Sequence, residues 1–392
     1  MPLASAAISK RVHLVTGATS TVGAALVLEL LRAEPQSRVY CLVQSTRDSL
    51  TAEARLAHTL ASVAVELGIP DDEASALVAR AVALRADLCE PSLGLDAVSR
   101  ELLRAQAPFT VWQFAETRTS RDRAQLLRDH IEVTDRLLEL ALRMGVSCFN
   151  HVSSAYVGHG EEEVSRQRSF LNEVEWARAH AESTVVARCS GMGVPYRILR
   201  PGIVIGHSRT GGAIPSQGLV NWILQLAGLE QVAGDRLRQQ PLRLVGDPDA
   251  TLNLIPIDSV IEDCLAIDAA GAATHDRVFN LTNQTPPTFG EVAAAAARAA
   301  GIARIEWVEE AEALDLVSRR FHDWSRFQRT YARGPQRVAR GSNQLYVSPR
   351  EGKCTVTGEQ LMRMARPALD AFRSAGRSRV DGKVARALWE VA

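Results

Sequence analysis

The strongest indication of the fold is RVHLVTGATSTVGAALVLELL, residues 11–31. Its apolar run from Val12 to Val15 predicts a buried strand that ends before Gly17, and the run from Ala24 to Leu31 predicts a helix. A glycine-rich turn between a first strand and a first helix lets backbone N–H groups and the helix N-terminus bind a pyrophosphate. The stretch therefore predicts the opening strand, turn and helix of a nucleotide-binding α/β domain.

Strand and helix patterns continue to alternate through the first half of the chain. Further strands are predicted in SRVYCLVQ, VALRADL, FTVWQFAE, VSCFNHV and PYRILRPGIVIG, mostly with helical stretches between them. This alternation is typical of a parallel sheet that is covered on both faces through right-handed crossovers. We expect an α/β fold in which residues 1–206 form a Rossmann-like, doubly wound parallel sheet. Residues 207–392 are expected to form a smaller, mostly helical substrate-binding lobe that packs on the first domain and interleaves with it.

Composition excludes several classes of function. The 45 basic and 45 acidic residues cancel, so no overall charge recruits nucleic acid or a membrane surface. Six scattered cysteines without a CxxC pair argue against a zinc site and for reduced thiols. The basic pair at residues 10–11 follows the small apolar stretch, the reverse of a signal peptide, and no run of 18 apolar residues exists. We expect a cytoplasmic protein without a metal.

Several motifs together resemble those of one enzyme superfamily. The turn TGATSTVG resembles the cofactor loop of the short-chain dehydrogenase/reductases, and RADLCEPSLGL, HVSSAYV, RPGIVIGHSRTG and LVGDPDATLNLIPID resemble later motifs of its thioester reductase and fatty acyl-CoA reductase branch. The resemblance covers roughly residues 10–300 and implies an extended member with an NAD(P)-binding Rossmann fold. The cofactor-binding residues that it implies are Gly17, Ser20, Thr21, Val22, Gly23, Gln44, Asp87 and Leu88.

The helix that carries the chemistry in this family is changed here. FLNEVEWARAHAE, residues 170–182, aligns without a gap with the family pattern Asn-x-Tyr-x-x-x-Lys, but Val174 stands at the Tyr position and Arg178 at the Lys position. In the family the Tyr hydroxyl exchanges a proton with the carbonyl oxygen, and the Lys lowers its pKa and binds the nicotinamide ribose. Valine has no proton to give. No lysine lies between residues 10 and 353, so a shifted register does not restore one.

The expected cofactor contacts are changed as well. Ser20 or Thr21 occupies the middle glycine position of the loop, where a Cβ crowds the approach of backbone to pyrophosphate. Gln44 stands where an Arg commonly binds the 2′-phosphate of NADP, with Arg47 as a possible substitute. We expect weak or absent binding of NADP(H) and NAD(H). Two alternatives remain: a wider loop that tolerates Ser20, and a preference for NAD that explains Gln44.

Three residues are candidates for contact with a substrate carbonyl. Arg178 stays charged at any working pH, so it cannot move protons, but its guanidinium can bind a carboxylate or an enolate oxygen. Ser154 stands at the family's catalytic Ser/Thr position and can donate a hydrogen bond to a carbonyl. Tyr156, two residues on, is either a replacement acid or a packing residue at the edge of the sheet.

Two further residues are candidates for moving protons, one of them just after the fourth predicted strand. Glu116 replaces a small residue beside the expected nicotinamide site, where apolar neighbours would raise its pKa and make it a general base. The alternative for Glu116 is an ion pair with Arg118. His207 follows RPGIVIG and is a further candidate. His130 is expected to be a satisfied core histidine, and His151 and His159 are expected at the surface.

Three hypotheses of function follow. The favoured one is a non-redox enzyme, a cyclase, dehydratase or isomerase, that acts by acid/base chemistry on a polyketide-like or acyl substrate and needs no cofactor. The first alternative is an NADP(H)- or NAD(H)-dependent reductase of a thioester, aldehyde or ketone with a substituted proton relay. The second is a non-catalytic ligand-binding protein. The arginine-rich residues 319–340 form either a lid that grips a CoA- or carrier-bound substrate or a solvated amphipathic face.

Overall fold

The computed structural model describes residues 11–44, 50–114, 123–157, 170, 172–212, 219–325, 330–332 and 356–374. Its strands are β1 (Val12–Thr16), β2 (Arg38–Gln44), β3 (Ala81–Ala86), β4 (Phe109–Gln113), β5 (Val146–Val152), β6 (Tyr196–Pro201), β7 (Ile203–Ile205), β8 (Leu242–Val245), β9 (Leu254–Pro256), β10 (Arg277–Leu281) and β11 (Ile305–Val308). Its α-helices are α1 (Thr21–Ala33), α2 (Ala52–Leu67), α3 (Asp71–Val78), α4 (Ala97–Ala105), α5 (Arg123–Leu126), α6 (Val133–Met144), α7 (Glu173–Met192), α8 (Leu219–Gln239), α9 (Ile257–Ala269), α10 (Phe289–Ala300), α11 (Leu316–Trp324) and α12 (Gly358–Ser374). A π-helical turn, Leu127–Glu132, joins α5 to α6.

Seven of the strands form one parallel sheet. Its order is β10-β6-β5-β4-β1-β2-β3, so β1 lies between β2 and β4 and the direction of winding changes there. This confirms the predicted Rossmann-like fold. The edge strand β10 comes from beyond residue 207 and pairs with β6 through Arg277↔Arg197. The division of the chain at residues 206 and 207 stays a prediction.

Helices cover both faces of the sheet. On one face α1, α2 and α9 pack their apolar sides against it, with Leu26, Leu30 and Ile261 fully or almost fully buried. On the other face α4, α6 and α7 do the same, with Leu137 and Val185 buried. Burying one such aliphatic side chain stabilises the fold by about 1.5–3 kcal/mol before entropy is counted. The carboxyl ends of the strands therefore open between two packed layers, where ligands bind in sheets of this type.

The later part of the chain has its own core. Helices α8, α10 and α12 bury apolar faces against one another, and the aromatic centre is formed by Trp222, whose ring centroid lies 5.7 Å from that of Phe289 and 6.4 Å from that of Phe321. Among the described helices, none is long and apolar enough to cross a membrane. Within the described residues, no three or more His, Cys, Asp or Glu side chains are grouped so that they could hold a metal ion.

Candidate functional site

A cleft opens at the carboxyl ends of the central strands β1, β4 and β5, beside helix α7. Its empty volume is about 580 Å³, counted together with the part that opens to solvent. The walls combine apolar side chains with several buried polar ones and a single guanidinium. The lining residues are Ser20, Val22, Gln113, Phe114, His130, Thr134, His151, Val152, Ser153, Arg178, Pro201 and Val204.

The loop between β1 and α1 forms one end of the cleft. Gly17 has φ +74°, a left-handed conformation that favours glycine, and its carbonyl accepts from the Ser20 N–H at 2.8 Å. A Cβ on Gly23 would lie 2.2 Å from the Gly17 carbonyl oxygen, so helix and loop can approach this closely only with glycine there. The Ser20 hydroxyl accepts from the Gly23 N–H at 3.1 Å and caps α1.

This loop geometry fits a pyrophosphate group in part. The first-turn N–H groups of a helix have no intrahelical acceptor, and because Ser20 accepts that of Gly23, those of Thr21 and Val22 are left for a ligand. The Ser20 side chain itself lines the cleft, where the family has no side chain. The loop therefore supplies backbone N–H donors for a phosphate. The Ser20 side chain narrows the space through which a phosphate would reach these donors.

The remaining predicted cofactor residues lie at the ends of the next two strands. Gln44 is exposed at the end of β2 and pairs with Ala86, so Asp87 and Leu88 follow at the same edge of the sheet. The Asp87 carboxylate accepts from the Cys89 N–H at 3.0 Å, which holds the turn after β3. The structure brings these residues to one edge, and their role in binding a cofactor stays a prediction.

Helix α7 begins where the sequence predicts the active-site helix. The Asn172 side chain accepts from the N–H groups of Val174 and Glu175 at 3.0 Å each and caps the helix. Val174 is buried at 8% exposure and packs with Leu126 and Ala177. Arg178, one turn further along, lines the cleft. Helix α7 therefore has a buried valine and a guanidinium where the family has a phenol and an amine.

A buried carboxylate accompanies the guanidinium. Glu175 is 1% exposed, and its Oε1 lies 3.6 Å from Nη1 of Arg178 and accepts from the Tyr331 hydroxyl at 2.7 Å. Burial, together with the charge of Glu175, raises the pKa of Tyr331 well above its ordinary value, so this phenol stays protonated. Sequence reasoning missed both residues. The i, i+3 spacing of Glu175 and Arg178 was a usable signal, whereas nothing local pointed to Tyr331.

Two histidines line the same cleft. Burial, together with the nearby charge of Arg178, lowers the pKa of both His130 and His151 to about 3. Both imidazoles are therefore neutral near pH 7. The expected surface position of His151 is wrong: β5 is a central strand covered on both faces, and His151 is 5% exposed. His130 is only partly buried, since it lies on the π-helical turn at the edge of the cleft.

Three predicted site residues are buried but do not line the cleft. The Ser154 hydroxyl accepts from the Tyr156 N–H at 3.1 Å, while the neighbouring Ser153 lines the cleft instead. The Tyr156 hydroxyl accepts from the Asn253 N–H at 3.1 Å, and burial raises its pKa above the ordinary value. Nδ1 of His207 accepts from two backbone N–H groups of the following turn, at 3.1 and 3.3 Å. Catalytic roles for Ser154, Tyr156 and His207 stay predictions.

Other predicted residues lie outside the part of the chain that the structure describes. Glu116 and its alternative partner Arg118 are among them, as are Arg47 and His159. Of the arginine-rich segment at 319–340, the structure describes residues 319–325 and 330–332. The roles of Glu116 and of this segment therefore stay predictions.

Comparison with known proteins supports the motif resemblance. The model of the male sterility protein family matches residues 15–264, which is more than half of the chain. This match confirms the resemblance to the extended short-chain dehydrogenase/reductases. No curated protein matches the sequence.

Solved structures share the fold. The terminal reductase domain of the myxalamid PKS-NRPS biosynthetic pathway is 23% identical with a TM-score of 0.72, and covers 96% of this chain and 94% of its own. The reductase domain of a nonribosomal peptide synthetase from Mycobacterium tuberculosis is 18% identical with a TM-score of 0.69 over 93% of both chains. UDP-glucuronic acid 4-epimerase from Bacillus cereus, solved with UDP-glucuronic acid and NAD, is 17% identical with a TM-score of 0.59, over 93% of this chain and 100% of its own.

Proposed function

The chain belongs to the male sterility protein family, in the thioester reductase-like branch of the extended short-chain dehydrogenase/reductases, and from that premise we propose that it catalyses proton transfer without hydride transfer. The proposed reaction is a cyclisation, dehydration or isomerisation of an acyl or polyketide-like substrate. One observation carries the proposal: the cleft holds Arg178 with two neutral histidines, where the family has a Tyr and a Lys.

Arg178 is proposed to bind the oxygen on which negative charge develops. A guanidinium keeps its proton throughout, so it stabilises an enolate or oxyanion without exchanging protons with it. Its side chain is 22% exposed, and the nearby buried Glu175 restrains its position. A neutral imidazole in the same cleft carries a lone pair that can accept a proton.

The substrate class is inferred by analogy of fold. Two structural neighbours are reductase domains from PKS-NRPS and nonribosomal peptide pathways, and the likeness to them shows the fold alone. We propose an acyl group carried on a pantetheine thioester, either CoA or a carrier protein. The arginines of the segment at residues 319–340 are suited to its phosphate.

The test uses 3-hydroxyacyl and 3-oxoacyl pantetheine thioesters as probes, with the purified full chain and no added nicotinamide. We expect mass spectrometry to find a product that has lost water or has the mass of an isomer, and no product that has gained two hydrogens. Reduction that depends on added NADPH or NADH would contradict the proposal. Binding of the probes without any conversion would favour the non-catalytic alternative.

The second candidate is an NADP- or NAD-dependent reductase with a substituted relay. The geometry at Gly17 and Gly23 favours it, because this close approach of helix and loop is what a pyrophosphate site requires. A bound nicotinamide would supply a hydride, the phosphate loop would hold its pyrophosphate, and Ser153 or Tyr331 would have to supply a proton. The double variant Val174→Tyr/Arg178→Lys separates the candidates. If the parent chain shows no NADPH-dependent reduction and the double variant does, the result supports the non-redox proposal for the natural chain.

A further inference from the structure

We infer that His151 is the proton acceptor in this cleft, through Nε2. We also infer that its substrate carries an acidic C–H next to a carbonyl whose oxygen binds Arg178. This rests on the proposed function and names the base and the substrate class for the same site. The inference comes from a chain of hydrogen bonds whose directions are fixed by chemistry.

The chain of hydrogen bonds starts at the backbone carbonyl of His130, a group that can only accept. The Thr134 hydroxyl lies 2.5 Å from the backbone carbonyl of His130, which has no hydrogen to give, so Thr134 is the donor. A hydroxyl has one hydrogen, so Thr134 must accept in its other bond, at 2.7 Å from Nε2 of Gln113. The amide of Gln113 is thereby oriented, with its NH₂ group toward Thr134 and its oxygen on the other side.

The same logic reaches the imidazole. The Gln113 amide oxygen lies 2.8 Å from Nδ1 of His151, and because an amide oxygen only accepts, Nδ1 carries the hydrogen. A neutral imidazole has one N–H, so Nε2 carries a lone pair. That atom is buried and has no hydrogen-bond partner among the described residues, and His151 lines the cleft. The fold thus holds a buried, oriented acceptor on a residue that lines the cleft.

The charges around His151 explain why it acts only with a suitable substrate. Arg178 from α7 and His130 from the π-helical turn face the same cleft. Burial and the positive charge of Arg178 keep His151 neutral. A substrate whose oxygen turns into an enolate on Arg178 offsets that charge, so the same imidazole becomes a stronger base as the reaction proceeds.

The proposed step balances without a co-reactant. The C–H bond next to the carbonyl breaks, and its proton forms an N–H bond at Nε2 of His151. The electron pair of that bond becomes the C=C bond of an enolate, while the carbonyl π pair moves to the oxygen that Arg178 holds. The imidazolium that results keeps its Nδ1–H bond to Gln113 and returns the proton to carbon or to a leaving hydroxyl.

The first test reads the tautomer directly and needs no substrate. In the full chain labelled with nitrogen-15 histidine, two-bond nitrogen–proton correlation spectra distinguish a protonated ring nitrogen from a bare one. We expect His151 to have a protonated Nδ1 and a bare Nε2, with its signals identified by their loss in His151→Gln. A protonated Nε2 on His151 would overturn the inference.

His13 is an internal control in the same protein, because its hydrogen should lie on the other ring nitrogen. Nδ1 of His13 lies 3.2 Å from the indole Nε1–H of Trp112, which only donates, and Nε2 lies 3.2 Å from a Glu34 carboxylate oxygen. His13 should therefore have the reverse tautomer in the same spectrum. Gln113→Leu should remove the preference at His151 and leave His13 unchanged.

The second test measures turnover with the 3-oxoacyl and 3-hydroxyacyl pantetheine probes. His151→Gln should lower the rate by about a hundred- to ten-thousand-fold, while His58→Gln, on an exposed face of α2, should leave it unchanged. Full turnover in His151→Gln would overturn the inference while the proposed function stands, and Glu116→Gln would then be examined as the base. Conversion that requires NADPH in every variant would overturn the proposed function, whereas the tautomer result would still decide the state of His151.

Discussion

Two helix starts face each other across the cleft, and they differ in what they keep. The start of α1 preserves the backbone features of a phosphate loop: the left-handed Gly17, the close approach at Gly23 and two available N–H groups. The start of α7 preserves its Asn172 cap, but Val174 is buried at the position of the family's Tyr, and Arg178 lines the cleft at the position of its Lys. Backbone geometry has survived in one helix while side-chain chemistry has been replaced in the other.

This difference shows that the phosphate-binding backbone and the proton-transferring side chains of such a site can change independently. Holding a phosphate requires only glycines and a helix N-terminus, and these features also pack the helix against the first strand, so the fold itself retains them. Moving a proton requires particular side chains, which the fold does not need. A Rossmann-like scaffold can therefore lose its reductase chemistry without losing its shape.

Among changes in the two helix starts, the largest effect is expected at Arg178. Arg178→Met should lower turnover of the pantetheine probes by about a hundred- to thousand-fold, because it removes the donor for the developing oxyanion. It should also lower stability by about 1–3 kcal/mol, because the buried Glu175 keeps only its bond from Tyr331. Thermal unfolding and steady-state rates measure the two effects.

The double variant Arg178→Met/Glu175→Gln is the control for this prediction. It should recover the melting temperature without recovering turnover, since the uncompensated charge has gone and the guanidinium is still missing. If the single variant keeps its full rate, α7 is a structural element only, and the contrast between the two helix starts loses its functional meaning.

The next effect tests whether the α1 loop is as rigid as its contacts imply. Gly23→Ala places a Cβ 2.2 Å from the Gly17 carbonyl oxygen, so backbone must shift. We expect a loss of about 1–3 kcal/mol in the free energy of unfolding. Gly191→Ala is the matched control in α7: its Cβ meets nothing within 4 Å, and alanine should stabilise the helix by about 0.5–1 kcal/mol. Urea titration of both variants gives the comparison, and equal stability would mean that the loop adapts.

The affinity for NADP(H) and NAD(H) is a second test of the loop between β1 and α1, with a smaller expected effect. We expect weak binding of NADP(H) and NAD(H) because the Ser20 side chain stands where backbone should approach the pyrophosphate. Ser20→Gly should tighten binding roughly tenfold, a gain of about 1.4 kcal/mol. Loss of the cap by glycine costs only a few tenths of a kcal/mol, so the fold should tolerate the change. Calorimetry showing micromolar affinity in the parent chain would contradict the expected crowding.

The smallest effect lies at the far end of α1. Burial alone would raise the pKa of Glu34, but hydrogen bonds from His13 and Ser37 and the charge of Arg11 outweigh burial and lower it to about 2. A lowered pKa adds stability that is present above about 4.5 and is lost as pH falls toward 2. Because Glu34 is partly exposed, we expect on the order of 1 kcal/mol. Melting temperatures from pH 6 to pH 2 should fall less steeply in Glu34→Gln than in the parent.

Local sequence was sufficient for the fold and for the change in α7. The alternation of apolar runs and the turn at Gly17 are encoded within short stretches, where hydrophobic period and turn chemistry are readable. The substitutions Val174 and Arg178 were visible because a family pattern supplied the positions to inspect.

The contacts around the cleft could not be predicted from local sequence. Tyr331 reaches Glu175 from 156 positions along the chain, and Gln113 reaches His151 from 38. Such pairs depend on which strands become neighbours and on the direction in which each side chain leaves its strand. His151 was expected at the surface as the default position for a histidine that belongs to no metal site, whereas a central strand of a covered sheet is buried on both sides.

The edge strand β10 has a consequence for how the chain is made. Synthesis proceeds from the N-terminus, so β6 exists long before β10, its neighbour in the sheet. Until Leu281 has emerged from the ribosome, β6 exposes a row of unpaired backbone groups, the kind of edge on which strands of other molecules add. A nascent or prematurely terminated chain that ends before Arg277 would carry six strands of the sheet, an open side and a high tendency to aggregate.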